Sequence, residues 1–463
     1  MSIVSVLYLA FLSLVAVLYY AAPQTWRTYI LLAASWVFYG VNQGAYLLIL
    51  LLSIGVNYLL CRKLALNRNK VWLYFALSFN IALLGFYKYI PPILGISHNP
   101  TGSWIERMVI PIGLSFFSFQ AMGNVLDMYW GNARMLVKPQ DYALYMSFFP
   151  QLLSGPIARS KSFFPQINTH KTFVYEDVVG GVRRILWGLF KKLVIASNLA
   201  PYTDIMFQNP SLHGGFSIGI AAMAYTVQIY MDFSGYSDIA IGSAKVLGFN
   251  LGENFRIPLF ANSVTDFWRR WHISLSSWVR DYIFMPMQFQ VRTWGKTGLI
   301  FSTLITFLVI GVWHGANWTL VIFGFLQGLA ICWEMFSSGI RQKLWGFLPA
   351  WLGRFCSSLL VFVFITISAI LLRSPSLSEA IRYYSLFSFD VSGLYLGSRQ
   401  QLVFAGLGML LVFGVDIRKG DMLISDFWGK QNTLIRWSFY ILGTLAILLI
   451  GSLSSENFIY YQY

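Results

Sequence analysis

Two of the five histidines stand where a solvated loop would be the wrong setting, and imidazole is the side chain best suited to take up a proton near neutrality. His314 lies in Val312-Trp313-His314-Gly315-Ala316-Asn317-Trp318, the one polar interruption of the run 297–333, which contains no Asp, Glu, Lys or Arg. His272 lies in the segment Ser263–Tyr282, among Trp268, Arg269, Arg270 and Trp271. The other three, His98, His170 and His213, fall in polar, Pro- or Gly-containing stretches and are assigned to loops. An ionisable group at membrane depth is costly and marks a functional candidate by default. The competing role for such a histidine is a hydrogen bond between two helices. Burial disfavours the charged form of the imidazole and keeps it neutral, the state a general base requires.

The elements that hold these two residues differ in kind. As one helix, the run 297–333 would be roughly 55 Å long at about 1.5 Å per residue, against a hydrocarbon core of about 30 Å. It must therefore turn, and Gly311, Gly315 and Asn317 place the break beside His314. Irregular backbone at that depth is tolerated only where it is buried in protein or lines a water-filled cavity. Around His272, Ser263 and Asp266 have capping-box spacing and Pro286 stops any helix soon after. Trp271, Leu275, Trp278 and Tyr282 then form an apolar stripe, with Arg269, His272 and Ser276 on another face. The expectation is one cationic amphipathic helix lying at the cytoplasmic interface rather than spanning it.

Three further polar clusters interrupt apolar context. They carry Gln120 and Asp127, Gln151 between two prolines, and Asp232, Ser234 and Asp238 within one short run. Carboxylates in such a run are costly unless paired or facing a cavity.

The composition fixes the solvent for all of these elements. The 463 residues are 57% hydrophobic and only 11% charged, too few charges to cover a water-exposed surface when soluble proteins carry about 25%. Long uncharged gaps run along the chain, and two of them, 28–61 and 297–333, are long enough for two passes each. The expected fold class is thus all-α and polytopic, about ten to twelve transmembrane helices with some segments broken or re-entrant. No linker or low-complexity tract divides the chain, so 1–463 is read as one membrane-embedded domain. Within it, 1–107 supplies N-terminal helices, 108–335 the catalytic core and 336–463 C-terminal helices. The first apolar run lacks a basic start and a small-residue cleavage site and is expected to be a membrane helix. Cys61, Cys332 and Cys356 form neither a redox nor a metal-binding spacing, and no metal site is expected. The net charge of +15 is explained by basic cytoplasmic loops such as Arg62, Lys63, Arg68 and Lys70, without nucleic acid as a partner. No Walker loop, dinucleotide fingerprint or HExxH sequence is present.

Several longer segments carry a resemblance. FFPQLLSGPIARS (148–160), MDFSGYSDIAIGSAKVLGFNLGENF (231–255), DFWRRWHISLSSWVRDYIF (266–284) and GVWHGANWT (311–319) together resemble the membrane-bound O-acyltransferase family. They look most like its bacterial branch for O-acetylation of polysaccharides such as alginate, cellulose and peptidoglycan. GLSFFSFQAMGNVLDMYWG (113–131), GLFKKLVIASNLA (188–200) and the terminal ENFIYYQY (456–463) fit the same branch. The sequence departs from it at Met285-Pro286-Met287-Gln288-Phe289-Gln290, where many alginate-type members have a Gly-Gly-Asn-Arg-like turn.

The resemblance implies a helical fold around a central tunnel and a transfer of acetyl groups at the bacterial inner membrane. His314 would be the principal catalytic residue. His272 would match the family's second histidine or asparagine position, orienting the thioester or stabilising its oxyanion. The donor would be cytoplasmic acetyl-CoA, a substrate, with no permanently bound cofactor. From Lys245 to Lys296 there are seven basic and three acidic residues. Arg256, Arg269, Arg270 and Arg280 would hold the nucleotide phosphates, with Ser276, Asn317 and Trp313 lining the substrate path. Asp232, Ser234, Asp238, Gln151 and Gln120 would support the tunnel. The expected partners are membrane lipid, an extracytoplasmic acetyltransferase and a polysaccharide acceptor. Two other readings compete: D-alanyl transfer to teichoic acid from a carrier protein, and a transporter without catalysis.

Overall fold

A computed structural model describes residues 1–96, 109–132, 137–153 and 155–452. His98, Ser154, Arg134 and the terminal 456–463 segment lie outside the described residues. All regular structure among the described residues is helical, as the uncharged gaps require. Among the described residues, six stretches are long and apolar enough to cross a membrane: Gln24–Leu66, Lys70–Ile93, Lys296–His314, Trp318–Phe336, Ala350–Arg373 and Arg399–Lys419. Val6–Ala21 and Thr433–Leu449 are shorter apolar helices. Several other uncharged gaps form helices that are short or polar, such as Leu114–Tyr129 and Pro139–Ser147, with nearly every side chain buried. Helical hydrogen bonding satisfies most of their backbone groups, and burial keeps their polar side chains in protein rather than lipid.

The chain divides into two compact units, Met1–Ile185 with Tyr236–Glu253, and Leu186–Gly235 with Asn254–Tyr463. In the first, Ser5 and Asn69 cap two helices by accepting from Tyr8 N and Val71 N. Asn57 and Asn80 bond reciprocally between neighbouring helices, at 3.3 and 2.8 Å, the kind of polar contact that holds helices together in lipid. Gly113 sits at φ +76 with Leu152 O so near that a Cβ would lie 2.3 Å away, so neither the backbone nor the space admits a side chain. Gln120 and Gln151 both donate to the Tyr145 carbonyl, at 3.3 and 2.9 Å. Arg184 is buried, bonding Asp238 at 3.0 Å and both oxygens of Glu253 at 2.5 and 2.6 Å. Two carboxylates around one guanidinium satisfy a charge group that could not otherwise be buried.

The second unit holds both candidate histidines. The Lys296–His314 and Trp318–Phe336 helices form a tight hairpin. Gly311 and Gly324 lie at their crossing. A Cβ on Gly324 would stand 2.3 Å from Phe307 O, and one on Gly311 would stand 2.5 Å from Leu320 O. Small residues at such positions let two backbones approach in the absence of a hydrophobic drive between helices. The expected break is found where it was placed: His314 ends the first helix, Gly315 is its C-cap, and Asn317 N-caps the second through Thr319 N at 3.1 Å.

A long helical stretch, Ser197–Gln208 preceded by the π-helical turns Phe190–Ala196, carries two buried lysines near its start. Lys192 pairs with Asp232, and Lys191 donates to Ser234 at 3.4 Å. Asp232 and Ser234 stand out in the sequence and these partners do not, because ion pairs between distant helices leave no local pattern.

Candidate active site

The segment around His272 is not the single helix that its periodicity predicts. It forms two short helices, Val264–Arg270 and Ile273–Val279, broken at Trp271–His272. Its start is as expected: Ser263 accepts from Asp266 N at 2.9 Å. Its middle is not, because His272 adopts φ +44, ψ +54, the left-handed region. Asn, Asp and His enter that region more readily than other non-glycine residues, and holding one there costs about 1–3 kcal/mol. Surrounding bonds enforce the turn. Ile273 N donates to Asn254 O at 2.9 Å, and Arg256 N to Arg270 O at 2.9 Å. The Asn254 side-chain oxygen accepts from Ser274 N at 3.2 Å and Ser274 Oγ at 2.9 Å, and lies 3.2 Å from His272 Nδ1. Ser276, expected on the His272 face of one helix, instead caps the break by donating to Trp271 O at 3.1 Å.

The Trp318–Phe336 helix fixes the height of this segment beside the hairpin. Glu334 accepts from Val264 N, from Thr265 N at 3.0 Å and from Thr265 Oγ1 at 2.9 Å. One helical interval earlier, Gln327 accepts from the Trp268 indole at 3.2 Å and donates to Ser368 at 2.9 Å.

These ties bring the two histidines together. The Trp313 ring stands 6.2 Å from that of His272 and 4.9 Å from that of His314. Phe233 packs edge-on against His272 at 4.8 Å, and Phe323 meets His314 at 6.2 Å. Both histidines are buried. Burial holds the His272 imidazole well below its ordinary pKa, and the nearby His314 lowers it further. Next to His314 is a cavity of about 40 Å³, lined by Thr226, Ile229, Trp268, Trp271, Phe323 and neighbouring apolar side chains. That is on the order of one water molecule, whose share of liquid is ~30 Å³, and the lining is mostly apolar. A buried imidazole beside a mostly apolar cavity suits proton transfer during attack on an activated acyl group.

The remaining sequence candidates separate into groups. Trp313 packs near the rings of both histidines. Asn317 caps its helix and donates to Pro375 O at 2.7 Å. Arg256 and Arg269 are exposed, whereas Arg270 bonds Asp266 and Arg280 bonds Asp281, both at 2.8 Å. Asp232 is in the buried pair with Lys192 and flanks Phe233 in sequence, as Ser234 does. Asp238, Gln120 and Gln151 belong to the first unit and are bonded there as described. Asn254 was missed. Its only trace in the sequence is that it is polar and follows a Gly-containing turn, which does not announce a bond to a residue 18 positions away.

Known proteins resemble the chain over most of its length. The membrane-bound O-acyltransferase (MBOAT) family profile matches residues 108–375, which include both histidines. A "Probable alginate O-acetylase" of Azotobacter vinelandii is 32% identical over 426 residues, covering 87% of this chain and 81% of the relative. The "Peptidoglycan O-acetyltransferase" of Helicobacter pylori is 32% identical over 393 residues, 78% of this chain and 72% of that protein. A "Teichoic acid D-alanyltransferase" of Bacillus subtilis is 27% identical over 260 residues, 54% of this chain and 64% of that one. With its helical membrane fold and its buried histidine pair, the chain belongs to the membrane-bound O-acyltransferase family and is an O-acyltransferase.

Proposed function

We propose that this protein takes acetyl groups from acetyl-CoA on the cytoplasmic side of the bacterial inner membrane and passes them outward for O-acetylation of a polysaccharide. The observation that carries the reading is the His272–Trp313–His314 cluster beside an apolar cavity. The relatives whose names specify alginate and peptidoglycan O-acetylation cover most of the chain, and they favour acetyl over other acyl groups.

In this reading His314 accepts the proton of the acceptor hydroxyl as its oxygen attacks the thioester carbonyl. The C–S bond then breaks, and the coenzyme thiolate leaves and takes up a proton. Such assistance supplies about 10²–10⁴-fold in rate. His272, whose ring lies beside Trp313, orients the reacting groups. Arg256 and Arg269, both exposed, are the better candidates for the coenzyme phosphates; Arg270 and Arg280 already hold carboxylates. The acetyl group would then reach the polysaccharide through an extracytoplasmic acetyltransferase, with no resident cofactor.

The test is labelled acetyl-CoA with purified protein in lipid vesicles. Wild-type protein should consume the thioester when an acceptor is supplied, and His314→Ala should lose at least about 100-fold in rate. Unchanged turnover in that variant would overturn the assignment of His314. A second reading, D-alanyl transfer from a carrier protein, has the teichoic acid relatives in its favour. Binding of such a carrier without use of acetyl-CoA would select it.

A further inference from the structure

The hydrogen bonds of Asn254 decide which nitrogen of His272 carries the proton. Asn254 is fully buried, and the orientation of its amide is set by a group with only one possible role. A backbone N–H can donate but not accept, and Ser274 N lies 3.2 Å from Asn254 Oδ1, so that atom is the oxygen and not the amide nitrogen. Ser274 Oγ reaches the same oxygen at 2.9 Å and stands 3.5 Å from His272 Nδ1, so its one hydrogen goes to the shorter contact with the oxygen. His272 Nδ1 is the third atom converging on it, at 3.2 Å. An amide oxygen offers lone pairs and no proton, so the contact with Nδ1 is a hydrogen bond only if Nδ1 bears the hydrogen.

We propose that Asn254 is a positioning residue that fixes His272 as the Nδ1–H tautomer, so that Nε2 presents a lone pair to the reacting groups. A neutral imidazole has one proton, and placing it on Nδ1 makes Nε2 an acceptor. The low basicity imposed by burial keeps the ring in that neutral form. His272 then receives a hydrogen bond, as from a hydroxyl, and does not donate one to a developing oxyanion. This revises the oxyanion role expected for it from sequence. The left-handed turn serves the same end: the 272–274 backbone is held by both the carbonyl and the side chain of Asn254, which fixes the ring's direction as well as its tautomer.

The inference rests on the acyl-transfer reading for its purpose but not for its test. The full-length protein, labelled with ¹⁵N in its histidine rings and placed in lipid vesicles, is measured by magic-angle-spinning spectroscopy, with His272→Asn identifying the resonances. Wild type should show a proton on Nδ1 and none on Nε2. Asn254→Asp, which keeps an acceptor at the same place, should preserve that pattern. Asn254→Ala should yield the Nε2–H form or a mixture. In the transfer assay Asn254→Ala should lower kcat at least about tenfold with KM for acetyl-CoA changed by less than about twofold, and Asn254→Asp should recover most of the loss. A proton on Nε2 in wild type, or an unchanged tautomer in Asn254→Ala, would overturn the proposal even if that variant is less stable. Absence of acetyl transfer by wild type, with the expected tautomer present, would instead count against acetyl-CoA as donor.

Discussion

Glu334 and Thr265 are joined twice: the glutamate accepts the backbone N–H of Thr265 at 3.0 Å and its hydroxyl at 2.9 Å. The two residues lie 69 positions apart, one near the end of a membrane helix and the other in the first turn of the short helix leading to His272. The contact sets where the His272 segment sits along the hairpin that bears His314. Removing it in Glu334→Ala takes away charge-assisted bonds worth about 1.5–3 kcal/mol each to the groups they satisfy. Thermal stability in detergent should fall by a comparable total of a few kcal/mol, and acyl transfer should fall further than Glu334→Gln, which keeps an acceptor. Equal activity of the two variants would show that the register of the segment does not depend on this carboxylate.

The glycine crossing of the hairpin makes a second prediction. A Cβ at 324 would meet Phe307 O at 2.3 Å, and the obstacle is backbone that cannot swing aside. Gly324→Ala should therefore cost about 1–3 kcal/mol through overpacking and spread the two helices. Because His314 ends one of them, transfer should decline along with the melting temperature. Gly339→Ala, where a Cβ meets open space, is the control and should be close to neutral.

Burial of His272 gives stability a pH dependence whose sign is fixed. The folded ring has a lowered pKa, whereas the ring in the unfolded chain titrates near 6.5. Below about pH 6.5 the unfolded state therefore binds a proton that the folded state refuses, and folding stability falls as pH drops. Above that pH the contribution is complete. Melting temperatures of wild type and His272→Asn between about pH 7 and 5 should diverge in slope, with the wild type losing more. Parallel slopes would mean that the ring is accessible to protons in the folded protein.

The Lys192–Asp232 pair is nearly inaccessible at both ends. Lys192→Met should cost about 3–5 kcal/mol, because it leaves a carboxylate buried beside a lost cation. Adding Asp232→Leu should restore most of that stability, as an apolar pair of similar volume commonly does. A double variant no better than the single one would assign Lys192 a role apart from balancing Asp232. Since Asp232 adjoins Phe233, which packs on His272, the single variant should also depress transfer.

The sequence was most legible where a constraint is local or set by length. The turn beside His314 follows from a run too long for one crossing with glycines and an asparagine near its centre, and the structure breaks there. The Ser263 cap, likewise a four-residue pattern, is present. Around His272 the apolar stripe of Trp271, Leu275, Trp278 and Tyr282 has helical spacing, yet a helix is interrupted within it. Spacing records which residues are buried and not whether the backbone between them is continuous; Leu275, Trp278 and Tyr282 are buried all the same. Asn254, Lys192 and Glu334 were invisible because each acts across tens of residues. The arginines were seen as one basic cluster, although two of the four hold carboxylates, which counting charges along the chain does not reveal.

The left-handed backbone at His272 also limits what can ever occupy that position. Glycine, asparagine, aspartate and histidine tolerate such a conformation, whereas a β-branched or bulky aliphatic residue would strain it. Most of those tolerated residues carry a polar group, so the turn acts as a sieve on drift. Chance substitution at 272 is steered toward residues that can still form hydrogen bonds, and the site can change its chemistry without first having to change its fold.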